Sequence, residues 1–187
     1  MSTERELHTE RIEVPKGVSF SVEHGTLKAK GPLGEVHRPF PADALAFTSK
    51  AGEVTITLRV PAHRKRHQAL LKTWAAHVKN LGLGLTAGVE AKMKVVAAHF
   101  PMKVAVKGEE LVIENFLGEK HPRSTRLVPG TKATVEGEYV LLSGHDVEQV
   151  GQSAANIERV TRIRDYDPRV FQDGIYLVER AHLKEGS

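Results

Sequence analysis

AKGPLGEVHRPF at Ala29–Phe40 and IENFLGEKHPRS at Ile113–Ser124 are one small construction written twice. Each has a strand-like run, a turn around Leu-Gly-Glu, then a histidine among basic residues and proline. Aligning Leu33-Gly34-Glu35 on Leu117-Gly118-Glu119 gives an offset of 84 residues, and AGEVTITL from Ala51 falls on EGEYVLLS from Glu136 at an offset of 85. At that spacing the helical segment after Pro61 falls on the one after Asp146. Three features in the same order and register point to an internal duplication, and a period this long makes each copy a small domain rather than a solenoid repeat. The expected division is 1–82 and 83–187, with a linker in NLGLGLTAG, Asn80–Gly88, where three glycines should break a helix and restart the chain.

Within each copy, strands come first and a helix later. FSVEHGTLKAK reads as two short alternating runs around His24-Gly25, a hairpin signal. Gly31-Pro32-Leu33-Gly34 suits a type I turn. ALAFTSK, Gly52 and EVTITLRV read as another hairpin, because Val54, Ile56 and Leu58 alternate with threonines. The second copy repeats the scheme with KMKVVAAHF, MKVAVKGEELVIEN and TKATVEGEYVLLSG. In HRKRHQALLKTWAAHVKNL, Leu70, Leu71, Trp74, Val78 and Leu81 recur at helical spacing, with Lys65, Lys72 and Lys79 on another side. In DVEQVGQSAANIERVTRI the stripe is Val147, Val150, Ala154, Ile157 and Val160, with Asp146 as the N-cap. The fold class is therefore α+β: two tandem duplicated domains, each a mainly antiparallel β-sheet packed with one α-helix. The polar N-terminus should be a loose tail to about Arg11.

Among 187 residues, 40% are hydrophobic and 27% charged, the balance of a globular chain rather than a disordered one. No apolar run approaches the ~20 residues of a membrane helix, and MSTERELHTERIEV lacks the apolar centre of a secretory signal. With no cysteine there is no disulfide scaffold and no thiolate metal site. The net charge is +4, which suggests an anionic partner. Up to Gly82 there are 13 Lys and Arg against 8 Asp and Glu; the remainder has 14 against 15. Net charge alone would place an anion site in the first half.

Catalytic chemistry finds little support. His63 and His67 are four apart on a helix, as two metal ligands can be, but Arg64, Lys65 and Arg66 lie between them with no acidic third ligand nearby. Asp146, Glu148, Asp165, Asp167 and Asp173 are dispersed, and Ser143-Gly144-His145-Asp146 is a sequence neighbourhood rather than a spatial triad. Phosphate-binding fingerprints of the P-loop and Rossmann type are absent from the sequence. Gly31-Pro32-Leu33-Gly34 matches the G-x-x-G clamp of KH domains, but that clamp joins two helices, whereas strand-like segments flank this one. The reading is of a non-enzyme with no cofactor, no metal and no small-molecule substrate.

Phosphate contacts require local clusters of Lys and Arg more than overall excess. From Lys120 to Val135 the chain has Lys120, Arg123, Arg126 and Lys132 with no acid, and His121 and Pro122 accompany them. A second cluster, Arg159, Arg162, Arg164 and Arg169, follows the second helix, diluted by Asp165 and Asp167. A third runs from His63 to His67. Aromatics, at 5%, are too few for a base-stacking platform. An RNA partner would be held through its backbone and shape.

HFPMKV at His99, IENFLGEK at Ile113, GHDVEQVGQSAANIE at Gly144 and DPRVFQDGIY at Asp167, with VPKGV and GPLGE in the first half, resemble the sixth protein of the large ribosomal subunit in its archaeal and eukaryotic form. That resemblance implies a non-catalytic, cytoplasmic ribosomal protein with two similar α+β domains. It also implies binding to large-subunit ribosomal RNA near the sarcin–ricin loop and the base of the factor-binding stalk, chiefly through the C-terminal domain, with neighbouring ribosomal proteins of the stalk base as partners. The residues it implies for RNA contact are Lys120, His121, Arg123, Arg126, Arg162, Arg164 and Arg169, with Lys92 and Lys94 as weaker candidates. The hydrophobes of VFQDGIY are read as packing. The rival reading is a stand-alone RNA- or protein-binding adaptor on the same duplicated fold.

Overall fold

The computed structural model describes residues 8–50, 52–59, 65–167 and 169–184. The chain forms two compact units, Met1–Thr86 and Ala87–Ser187. Among the described residues of the first unit, six strands precede one helix: β1 (Thr9–Glu13), β2 (Ser19–Glu23), β3 (Thr26–Gly31), β4 (Gly34–Pro39), β5 (Leu45–Lys50), β6 (Glu53–Leu58) and α1 (Lys65–Ala87). They divide into two antiparallel sheets, ordered β2-β3-β4 and β1-β6-β5. The second unit repeats this with β7 (Val89–Val96), β8 (Lys103–Lys107), β9 (Glu110–Glu114), β10 (Arg123–Arg126), β11 (Lys132–Glu136), β12 (Tyr139–Gly144) and α2 (Val147–Val160), and adds β13 (Gly174–Leu183). Its sheets are ordered β8-β9-β10 and β11-β12-β7-β13. Strand for strand the orders coincide, with β13 as the addition, so the α+β duplication read from the sequence is the architecture of the molecule.

The expected hairpins form for the expected reasons. His24 (φ 48°) and Gly25 (φ 72°) take the left-handed conformations of a tight hairpin turn between β2 and β3. Val54, Ile56 and Leu58 are buried while the intervening threonines are not, which is the period-two pattern of a strand packed on one face. Both helical stripes face cores. Leu71, Trp74, Val78 and Leu81 pack with Phe20, Leu27, Val36, Phe40 and Ile56; Val150, Ala154 and Ile157 pack with Met93, Ile113, Phe116 and Val140. Each fully buried aliphatic side chain contributes about 1.5–3 kcal/mol relative to exposure. Asp146 caps α2, its Oδ1 accepting from the Glu148 N–H at 2.9 Å.

Two expectations change. The helix does not break at Gly82: α1 runs through Gly82 and Gly84 to Ala87, and Gly88 (φ 81°) begins the restart. Both glycines are buried, and at Gly82 the helix is closely approached: a Cβ there would lie 3.1 Å from Pro15 Cδ. The N-terminal segment is strand from Thr9, not tail to Arg11, because Ile12 is buried and β1 pairs with β6 from Thr9–Thr57 to Glu13–Glu53; residues 1–7 lie outside the described residues. Of the VFQDGIY hydrophobes read as packing, Ile175 is buried in the core while Val170 and Tyr176 are exposed, and from Gly174 the chain forms the ten-residue strand β13. His63, one half of the histidine pair, also lies outside the described residues.

The two Leu-Gly-Glu corners occupy equivalent places but are built differently. In the first, Gly31 pairs with Gly34 across a two-residue turn, Pro32-Leu33, between strands. In the second, residues 115–122 separate β9 from β10 and include a 3-10 turn at Phe116–Gly118. Asn115 (φ 60°), Leu117 (φ 50°) and Gly118 (φ 78°) all take left-handed backbone there. Asn115 tolerates this conformation, and its Nδ2 donates to the Pro101 carbonyl at 2.9 Å. The longer excursion, not the motif, sets the second corner apart.

Candidate nucleic-acid interface

Arg123 opens β10, and its long side chain is half-buried rather than free. The guanidinium lies over the Phe116 ring at 4.2 Å from its centroid. Its Nη2 and Nε donate to the two Glu119 carboxylate oxygens at 2.5 and 2.8 Å, a fork-on-fork pairing. Its Nη1 donates to the Val160 carbonyl at 2.7 Å and to that of Arg162 at 3.4 Å. Val160 ends α2, so Arg123 satisfies one of the carbonyls that a helix leaves without an intrahelical donor and places a cation at the negative end of the helix dipole. The Arg123 hydrogen bond, ahead of an opposing burial effect, holds the Glu119 carboxyl below the usual carboxylate range.

This tether brings the two sequence clusters together. A groove of about 420 Å³ is lined by Arg123 and Ser124 from β10 and by Arg159, Val160, Arg162 and Arg164 from the end of α2 and beyond. Four arginines from segments far apart in sequence converge, and among the described residues the lining contains no acid. Arg159, Arg162 and Arg164 are exposed. Thr161, buried between them, turns its hydroxyl inward to the Ile157 carbonyl and accepts the Ile175 N–H at 3.2 Å, which leaves the flanking arginines directed outward.

The remaining candidates lie outside that lining. Lys120 and His121 are exposed in the loop that enters β10. Arg126, at the other end of β10, is 88% exposed and 4.0 Å from Glu110. Arg169 is exposed but folded onto its neighbour Asp167, at 3.0 and 3.1 Å, an exchange that lowers the Asp167 pKa. Lys92 and Lys94 alternate on β7 with the buried Ala91 and Met93, so they occupy the sheet face opposite the core. Lys92 sits over the Tyr139 ring at 4.4 Å and 3.8 Å from Glu179; Lys94 is 3.7 Å from Glu138.

A family model described as Ribosomal protein L6 matches residues 100–174, from the segment before the second Leu-Gly-Glu corner to the start of β13. The large ribosomal subunit protein uL6 of Methanosarcina mazei is 47% identical over 170 residues, 91% of this chain and 96% of that protein. Its counterpart in Archaeoglobus fulgidus is 42% identical over 95% of this chain and 93% of its own length, and that of Methanobrevibacter smithii 43% identical over 91% and 95%. The chain belongs to the ribosomal protein L6 family.

Membership of the L6 family agrees with the resemblance carried by the second-half motifs. Much of what those motifs contain is structural: Asp146 caps α2, Phe116 supports Arg123, and Asp173 is buried with its carboxylate on the backbone N–H and Nδ1 of His99 at 3.1 and 2.8 Å. Arg159 belongs to the second sequence cluster but not to the contacts the resemblance implies, and Ser124 carries no charge by which the sequence would single it out. Its neighbour Arg123 could have pointed to both, had the Arg123–Val160 bond been visible.

Proposed function

We propose that this chain is a non-catalytic structural constituent of the cytoplasmic large ribosomal subunit and binds large-subunit ribosomal RNA through its second unit. The observation that carries the reading is the groove that gathers Arg123, Arg159, Arg162 and Arg164, with no acid among its described lining residues. Arginines grouped on one wall suit phosphate oxygens, which they contact by paired N–H donors. In this proposal Arg159, Arg162 and Arg164 contact phosphates, Arg123 fixes the wall that presents them, and Lys120, His121, Arg126 and Arg169 extend the surface. Lys92 and Lys94 belong to a separate face. The relatives' names, large ribosomal subunit proteins, support the ribosome as the setting. A position beside the sarcin–ricin loop, with stalk-base proteins as neighbours, is the site we assign.

The test compares charge reversals in the two units. Arg159→Glu, Arg162→Glu and Arg164→Glu together should weaken binding to a large-subunit ribosomal RNA fragment far more than Lys65→Glu, Lys72→Glu and Lys79→Glu. They should also flatten the dependence of log K on log salt by roughly one unit per lost phosphate contact. An equal or reversed effect would move the site to the first unit. The chain should also co-sediment with large subunits through a high-salt wash; a free pool would favour the adaptor reading.

A further inference from the structure

In the second unit, β7 is paired on both edges. β12 covers one, and β13 runs antiparallel along the other from Gly174–Val96 to Leu183–Val89. β13 also abuts the helix: Ile175 is buried, and the Leu177 N–H donates to Glu158 Oε1 of α2 at 2.9 Å. Among the described residues, the first unit has a counterpart for each of these parts except β13. Its β1, the counterpart of β7, pairs with β6 on one edge, and among the described residues no strand pairs on the other.

That outer edge is chemically legible. The Leu58 N–H donates to the His8 carbonyl and the Val14 N–H to the Gly52 carbonyl, so even-numbered residues of β1 face β6. Antiparallel alternation then turns the N–H and C=O groups of Arg11 and Glu13 outward. Beside them runs a groove of about 650 Å³, with Glu10 to Pro15 on one wall and Ala75, Ala76, Lys79 and Leu83 of α1 on the other. Lys72 continues the helix wall into an adjoining recess with Thr9 and Glu10. Two alanines on the helix wall leave room for the side chains of an added strand.

We propose that the outer edge of β1 receives an extended segment of a partner protein, added antiparallel in the place that β13 holds in the second unit. Main-chain hydrogen bonds to Arg11 and Glu13 would supply register, as in strand addition generally. Side chains facing α1 would be small and apolar over Ala75 and Ala76 and acidic near Lys72 and Lys79. Glu10 and Glu13 line the same groove together with Arg11 and Lys79, so its charge is mixed; that disfavours a continuous phosphate backbone but admits a strand whose acids fall only opposite Lys72 and Lys79. The charges of β1 also guard the edge against pairing with a like strand.

The experiment uses the full chain and a synthetic peptide alternating threonine with, in turn, glutamate and valine. Expected are saturable binding, new protection of the Arg11 and Glu13 amides from hydrogen exchange, and no change at Glu10 and Ile12. Arg11→Pro removes an outward donor at an edge position that accepts proline and should weaken binding about tenfold, the loss of about one hydrogen bond. Ala76→Glu, on the helix wall and away from the strand, should weaken it as much. A peptide with lysine in place of glutamate should bind more weakly than the original. The proposal is overturned by no saturable binding at millimolar peptide, by binding indifferent to both substitutions, or by an RNA fragment that displaces the peptide from this edge. It is equally overturned if the Arg11 and Glu13 amides are already protected in the free chain and lose protection on deletion of residues 1–7. None of these outcomes depends on the arginine groove.

Discussion

Arg123 donates to the carbonyl oxygen of Val160 at 2.7 Å, and through that bond the first residue of one strand holds the last residue of a helix 37 positions away. The contact explains how two basic clusters, separated by β11, β12 and α2, become one wall. It also separates two roles that composition alone merges: a cation that builds the surface and cations that the surface presents.

Arg123→Ala should therefore cost stability as well as affinity. A charge-assisted hydrogen bond contributes about 1.5–3 kcal/mol, and Arg123 makes several from a half-buried position. Denaturant unfolding should show a loss of about 2–3 kcal/mol, whereas Arg162→Ala, exposed and outside such a network, should stay within about 0.5 kcal/mol of the parent. Lysine at 123 should recover little, since a single ammonium cannot pair both oxygens of Glu119 and also reach the helix end.

Acid should act on Asp173. Burial raises its pKa, but the backbone and ring of His99 outweigh that and hold it below its usual 3.8. The ionised carboxylate therefore stabilises the fold above the unfolded value, and the contribution disappears as pH falls through the lower folded one. Asp173→Asn should be about 1–3 kcal/mol less stable at neutral pH and should lose less stability than the parent between about pH 5 and pH 2. Urea titrations at a series of pH values measure both effects.

Two glycines should respond oppositely to alanine. A Cβ on Gly31 would lie 2.7 Å from Leu85 Cβ and 3.2 Å from the Leu85 carbonyl, where the turn after β3 meets the end of α1. Gly31→Ala should lose about 1–3 kcal/mol by overpacking. Gly151 sits in α2 with nothing within 4 Å of its Cβ position, so Gly151→Ala should gain up to about 1 kcal/mol of helix propensity. Melting curves of the two variants make the comparison directly.

Several features were legible because they are local. Val54, Ile56 and Leu58 announce a strand by period two, Val150, Ala154 and Ile157 announce a helix by period 3.6, and Asp146 announces its start by side-chain chemistry. Gly82 in isolation signals a break, whereas in the fold it lies inside the helix, where Pro15 approaches closely. The strand at Thr9 was hidden among charges, with Ile12 as its single buried residue. β13 was hidden for a related reason: Tyr176, Val178 and Glu179 are exposed, so its sequence shows no clean alternation.

The duplication, the α+β class, both helical stripes and the family can all be read along the chain, since these depend on neighbouring residues or on ordered motifs. Tertiary structure alone decided which arginines stand together, that Arg123 is bound inward, and that one copy covers with β13 an edge the other leaves unpaired among the described residues. One cause underlies all three. Hydrogen bonds between distant strands and helix ends depend on where folding carries the backbone, and no local periodicity records that.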